Sequence, residues 1–477
     1  MPTVTSSEDK VVLLFAVFPN GNNLIAFKFT TSAGQYQVDW GDGTTTLHNS
    51  LNNANKQYSY SAISAATECS RGYRQVIITI TPVSGVFTTM DLQERHTLVS
   101  SVLTPYSVNI LDVIISMPNA TTGQSIEFGG AVQLPTLCER VDIKASGSIT
   151  SAKNLFAACS RLQEYSFVAN TQNITDFSGM FGGCRHLEEV SLFDTLSGTT
   201  IGGMFGNCHN LKSVPLFNTQ NVTNMASLFD GCYSLNTIPA FNTQQVTDMS
   251  NMLGGVQMKT LPLLDMQNVT TTFRMLVGCN RLSELPSINT PNLINMGNMF
   301  FYCTDLETVP LFNTQNVTNM SGSFSRIQAL KTLPLFNTQN VTTMANMFLG
   351  SGNIREVPLF NTVKVTSMNN MFNICGKLKS IPAFNTPLIT TTSGTDFGVG
   401  FAQNALSLTV CNLSFSRTVG LTNARLSRAE IVKIFNNLAD RAATTSATIT
   451  LTGSWGVSRL SSADRAIATN KNWTIVG

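Results

Sequence analysis

Through the middle of the chain, apolar residues recur with a beat too regular for an ordinary globular core. In residues 221–241, NVTNMASLFDGCYSLNTIPAF, the residues Met225, Leu228, Phe229 and Cys232 fall at i, i+3, i+4 and i+7. That spacing is one face of a helix. Thr223 stands where an N-cap would, and Gly231 where a helix would end. Leu235 and Ile238 then lead through an extended stretch to Pro239. The pattern predicts a unit of about two helical windings, a bend and one short strand.

The unit repeats. Its proline returns at Pro215, Pro239, Pro262, Pro286, Pro310, Pro334, Pro358 and Pro382, a step of 24 residues with one step of 23 before Pro262. PLFNTQNVTNM stands unchanged at 215–225 and 310–320, and PLFNTQNVTTM follows at 334–344. Earlier turns, with the proline replaced, lie around FVANT (167–171) and SLFDT (191–195), and a degenerate one precedes them. A fixed period in this range means a solenoid, because one turn cannot bury its apolar face and stacked turns can. At about 4.8 Å per turn, ten turns would extend over roughly 50 Å. The Asn of FNT recurs at Asn218, Asn242, Asn289, Asn313, Asn337, Asn361 and Asn385, with Asp265 in the odd turn. A ladder of amides capping every bend is expected there.

The flanks follow other patterns. In residues 1–100, NLIAFKFTT, QYQVDW and QVIITIT alternate as strands do, with turns at TSAG and GDG, which predicts a β-sandwich. Residues 101–150 read as an irregular N-terminal cap on the solenoid, which occupies 151–390. Residues 391–477 read as an α/β cap. Its first helix carries Ser427 and Glu430 as a capping box and Ile431, Ile434, Phe435 and Leu438 as its buried stripe. The expected class is therefore mixed and β-rich, with one short strand and one short helix in each solenoid turn.

Composition narrows the chemistry. Only 12% of residues are charged and the net charge is +2. That balance supplies no field for nucleic acid and no polybasic membrane patch. VVLLFAVF (11–18) is too short to span a bilayer, and its acidic flank SSEDK is unlike an export signal. The chain is expected to carry no address of its own and no membrane insertion. Seven of the ten cysteines, Cys159, Cys184, Cys208, Cys232, Cys279, Cys303 and Cys375, share one slot of the repeat, which Val256, Ile327 and Ser351 fill elsewhere. A disulfide between turns and a metal stack are the sharper readings. Parallel side chains aim their sulfurs side by side, however, so buried thiols are expected. The sequons at Asn173, Asn221, Asn268, Asn316 and Asn340 read as by-products of the bend.

No catalytic constellation emerges. His48, His96, His186 and His209 are scattered, and the acids of the repeat do not recur in pairs. Tyr233 and Tyr302 interrupt polar slots as candidate contact residues, and the glycine-rich 391–404 segment reads as a mobile junction. No catalytic, cofactor-binding or metal-binding residue is assigned, and no cofactor is expected.

The consensus FNTxxVTxMxxMFxxCxxLxxIP resembles the BspA-like leucine-rich repeats over about residues 150–390, a bacterial surface family that recurs in phage structural proteins. VDWGDGT (38–44) resembles a signature of PKD-type β-sandwiches over one hairpin, and the C-terminal pattern is similar to endings of such phage proteins. The resemblance implies a non-enzymatic virion protein (tail fibre, tail tip or head decoration) whose solenoid binds a host surface. A bacterial cell-surface adhesin is the alternative, and a glycan depolymerase the remote one. The implied partners are other virion proteins and a host-surface glycan or protein, with self-assembly open and no nucleic acid.

Overall fold

The computed structural model describes residues 9–92, 95–96, 104–105, 109–119, 124–127, 137–389, 397–398 and 400–477. They form a β-rich chain with about 12 solenoid turns and two α-helices. The chain divides into two compact units, Met1–Phe241 and Asn242–Gly477.

The first unit opens on alternating apolar strands: β1 (Lys10–Val17), β2 (Leu24–Thr31), β3 (Gln35–Asp39), β4 (Thr45–Asn49), β5 (Asn53–Gln57), β6 (Arg74–Pro82) and β7 (Phe87–Asp91). A two-residue pair, β8 (Arg95–His96) and β9 (Thr104–Pro105), comes before β10 (Ile110–Met117), β11 (Gln124–Glu127), β12 (Arg140–Ser151) and β13 (Glu164–Asn170). The hydrogen-bonded order is β4-β3-β6-β1-β10-β12-β11-β7-β2-β5, with β13 on β12. The pairing changes character along this path. β1 lies antiparallel to β6 and β10, while β10, β12 and β13 run parallel. Parallel in-register strands are what a coil of stacked turns requires, so β12 is where sheet becomes solenoid. Phe27, Phe29, Tyr36, Trp40 and Phe87 fill the interior between the early strands. The Tyr58 hydroxyl holds the Trp40 carbonyl at 2.7 Å, beside the tight turn.

The expected helix in each turn does not form, and the apolar spacing that suggested it has another cause. Met225, Leu228, Phe229 and Cys232 are buried as the periodicity requires. Between them, however, Ser227 (φ 56°) and Gly231 (φ 77°) are left-handed. The same two slots are left-handed in successive turns, at Gly179 and Gly183, Gly203 and Asn207, Asn251 and Gly255, and Asn346 and Gly350. A right-handed helix cannot pass through two such residues four apart. The segment is a chain of tight turns with hydrogen bonds that alternate in direction. Met204, Gly206 and Cys208 donate three residues back, to Ile201, Gly203 and Phe205. Ile201, Gly203, Phe205 and Asn207 donate instead to the next turn, to Asn224, Ala226, Leu228 and Asp230. Half of the amides thus close the bend locally and half stitch one turn to another. This leaves few polar groups unpaired without any helix.

The expected strand before the proline also shrinks: among the described residues it is a parallel bridge at Thr260–Glu284. The recurring bridges stand elsewhere in the turn, just before the first apolar position of the run, as at Asp176–Thr200 and Thr200–Asn224 in the first unit. The second unit continues this with Asp248–Thr271, Thr271–Asn295, Asn295–Asn319, Asn319–Thr343 and Thr343–Ser367. Inside each unit the phenylalanines stack one turn apart. Phe181–Phe205 and Phe205–Phe229 have centroids 5.6 and 5.7 Å apart with planes within 9° and 5°. Phe324–Phe348 and Phe348–Phe372 lie at 6.0 and 5.8 Å.

The second unit ends in regular elements: β14 (Ser380–Ile381) parallel to β15 (Val410–Cys411), then β16 (Val419–Gly420), α1 (Arg428–Asn437), β17 (Ala447–Thr450), α2 (Ser462–Thr469) and β18 (Trp473–Val476). β16, β17 and β18 form a parallel sheet. Ser427 accepts from the Glu430 amide at the start of α1, but the Glu430 carboxylate turns away to the Cys411 amide, so this end has half of the expected capping box. The full reciprocal box stands at α2, between Ser461 and Asp464. Asp464 also receives both Arg428 donors at 2.8 Å.

Candidate interaction surface

Within each turn, polar side chains facing inward are committed to the neighbouring turn. The thiols of Cys184, Cys208 and Cys232 donate to the carbonyls of Phe156, Phe181 and Phe205 at 3.0–3.1 Å. In the second unit Cys279, Cys303 and Cys375 do the same to Leu253, Leu276 and Phe348. Ser351 in that slot makes the bond with its hydroxyl, to Phe324 at 2.6 Å. All ten cysteines are free and all but Cys69 are buried. Burial pushes the Cys232 thiol up to about 12 and holds Cys184, Cys208 and Cys303 well above their ordinary value. They serve as weakly polar core groups rather than nucleophiles.

The FNT peptide divides its work between two residues. Its Asn caps the bend within its own turn: the side-chain oxygen of Asn218, Asn313, Asn337 and Asn361 accepts the amide two residues on. Asp265 does this in the odd turn. Asn289 and Asn385 meet Pro291 and Pro387 at that place, which have no N–H to give. Its Thr is buried and forms the bond between turns. Thr290, Thr314, Thr338 and Thr362 donate to the carbonyls of Asn313, Asn337, Asn361 and Asn385 at 2.6–3.0 Å. The sequon asparagines Asn221, Asn268, Asn316 and Asn340 reach back to the preceding turn, to the carbonyls of Leu196, Gln244, Pro291 and Gln315. Thr223 is no N-cap, since its hydroxyl donates to the Thr199 carbonyl.

What remains for recognition faces outward. His186 and His209 do not converge: His186 Nδ1 lies 2.7 Å from the Ser160 carbonyl, while the His209 ring rests on Tyr233 at 5.1 Å. Burial, and then the charge of Arg185, keep the His209 imidazole below its ordinary value. Among the described residues no group of three or more His, Cys, Asp or Glu is placed to hold a metal ion. The side chain of His96 and residues 390–396 and 399 of the expected junction loop lie outside the described residues.

Two exposed features stand out in the second unit. The first occupies the left-handed slot just before the cysteine position. Glycine fills it at 183, 231, 255, 278 and 350, yet Tyr302 (φ 68°), Arg326 (φ 59°) and Ile374 (φ 61°) take it within four successive turns. Side chains with a Cβ are strained there, a β-branched one most of all. The Arg326 guanidinium sits 5.7 Å from the Tyr302 ring, and Tyr302 and Ile374 are 43% and 52% exposed. Tyr302 could be singled out from sequence as an aromatic in a polar slot. Arg326 and Ile374 could not, although the recurring glycine was a signal that the slot is left-handed. The second feature is a column of exposed leucines, one residue after each proline: Leu263, Leu311, Leu335 and Leu359, each 61–70% exposed. Leu192 and Leu216 hold that position in the first unit.

A family described as "Mycoplasma protein of unknown function, DUF285" matches the chain at residues 150–262, 199–310 and 294–399, just over half of its length. These matches cover the repeat and leave both flanks outside. No curated protein matches the chain.

Proposed function

This chain belongs to the DUF285 family, and on that premise we propose that it is a non-enzymatic structural protein of a phage particle that holds its solenoid outward as a binding surface. One observation carries the binding half of this reading. Tyr302, Arg326 and Ile374 keep bulky exposed side chains in a slot where glycine would relieve backbone strain. Strain retained at an exposed position is the mark of a site selected for contact, and Tyr and Arg are the side chains most often found at the centre of interfaces. The inward thiols, hydroxyls and amides are spent on bonds between turns, which favours architecture over catalysis. The thiol ladder supports a particle built in a reducing compartment, where such thiols stay free. The N-terminal strands on this proposal form a PKD-like β-sandwich, a reading supported by the capped turn at Asp39–Thr44, where Asp39 and Asp42 each accept an amide two residues on.

The family's description as Mycoplasma proteins favours a second reading, a bacterial surface adhesin. Quantitative mass spectrometry of gradient-purified particles and washed cells from one infected culture separates the two. Stoichiometric enrichment with particles is expected, and its copy number would divide head decoration from fibre. Recovery in the envelope of uninfected cells alone would overturn the virion reading in favour of the adhesin.

A further inference from the structure

The leucine column of the second unit has a pattern along its length. Centred on Leu335, the residues in that position run Ser287, Leu311, Leu335, Leu359, Ala383, all exposed: two small residues flank three leucines on either side of the centre. The charges beside the column run the opposite way. Glu284 and Glu307 lie in the turns on one side of Leu335, and Arg355 and Lys379 in the turns on the other, with Lys331 at the centre, Arg281 the one base on the acidic side and Glu356 the one acid on the basic side. Glu307, Lys331, Arg355 and Lys379 are all exposed, and no ion pair among the described residues uses Glu307 or Arg355. In the first unit the same slot pairs within the chain, Lys212 with Glu188 one turn away, whereas among the described residues Glu307 and Lys331, in the same relation, form no ion pair. A column that reads the same in both directions by shape, and with reversed sign by charge in the turns flanking Lys331, which alone would meet its own kind, is complementary to itself turned end for end.

We propose that this ridge pairs two copies of the chain antiparallel, about a two-fold axis through the turn of Leu335. Leu335 then meets its own copy, Leu311 meets Leu359, and Ser287 meets Ala383. Glu307 of one copy faces Arg355 of the other, twice by symmetry, and the acidic end lies on the basic end. A parallel arrangement lacks this match. Five turns with about four outward side chains each give roughly 20 residues a side, the lower end of the 20–30 that a stable interface uses. Exposed leucines repeated turn after turn are otherwise a solubility liability that a monomer rarely keeps. The proposal does not depend on whether the chain resides in a virion or on a cell.

The test is size-exclusion chromatography with light scattering on the full chain, over a dilution series, alongside circular dichroism and thermal melts to confirm folding. The wild type is expected to be a dimer at micromolar concentration. Leu335→Lys should raise the dissociation constant by more than about 100-fold with an unchanged melt, because the side chain is on the surface. Arg355→Glu should raise it by about 10–100-fold, and Glu307→Arg combined with Arg355→Glu should return it to within about 3-fold of wild type. A wild type that stays monomeric at 100 µM would overturn the proposal, as would a dimer indifferent to Leu335→Lys. If the double charge swap associates no better than the single change, the antiparallel register is wrong.

Discussion

Cys232 and Ser351 occupy equivalent places in the repeat and make the same bond, a proton given to a backbone carbonyl of the preceding turn. The bond rather than the sulfur is what these two share, while Val256 and Ile327 fill the same slot without a donor. Cys232→Ser should change stability by less than about 1 kcal/mol, whereas Cys232→Ala, which leaves the Phe205 carbonyl without that donor, should cost about 1–3 kcal/mol in urea melts. Thr314→Val should cost a similar amount, since a methyl group cannot donate to the Asn337 carbonyl. The reactivity of the thiols follows from their burial. In the native chain at about pH 8 only Cys69 should react with Ellman's reagent, and the nine buried thiols only after denaturation. Rapid titration of several thiols without denaturant would contradict the ladder.

At the scale of one turn, the strained slot makes a prediction in two directions. Ile374→Asn places a residue tolerant of left-handed backbone at φ 61°, as Asn207 already is at φ 60°. It should raise the melting temperature, stabilising the chain by about 0.5–1 kcal/mol. Under the proposed host-binding role, the same change, and Tyr302→Gly, should weaken retention of the chain in a pull-down with host envelopes. Greater stability with undiminished binding would remove the reason for the strain. The turn also shows what its sequence could and could not disclose. The period, the buried set Met225, Leu228, Phe229 and Cys232, and the bend at Asn218 were legible, because burial and Asx capping depend on residue type at fixed spacing. The backbone path was not. Residues at i, i+3, i+4 and i+7 face one way both on a helix and on a run of tight turns in which every second amide bonds to a neighbour. The discriminating signal was the Gly, Asn or Ser at positions such as 203, 207, 227 and 231, residues that accept positive φ. Within the candidate surface, Tyr302 was visible as an aromatic out of place. Arg326 and the palindrome about Leu335 needed burial assigned position by position, since nothing in PLFNT says which of Leu and Phe points out.

For the molecule as a whole, the thiol ladder should set the alkaline limit. Burial raises Cys232 and Cys411 from an ordinary 9.0 to about 12, and holds Cys184, Cys208 and Cys303 well above that ordinary value. The folded chain thus retains protons that the unfolded chain would release, so stability falls with rising pH in that range. Their contribution is fully present below about pH 9 and drains away as the pH climbs towards 12. The thermal midpoint should be flat up to about pH 8.5 and then decline, more steeply in wild type than in a variant with several of these cysteines replaced by serine. Equal slopes would assign the alkaline loss to other groups. The fixed 24-residue step has a consequence of another kind. Because most turns offer their neighbours equivalent donors, acceptors and apolar groups, excising one complete turn brings together two faces that already fit, while excising half a turn joins a bend to an extended run. The identical peptides at 215–225 and 310–320 are natural crossover points for such events. Lineages carrying this chain should therefore differ from one another in whole turns, lengthening or shortening their reach while every surviving coil keeps its fit.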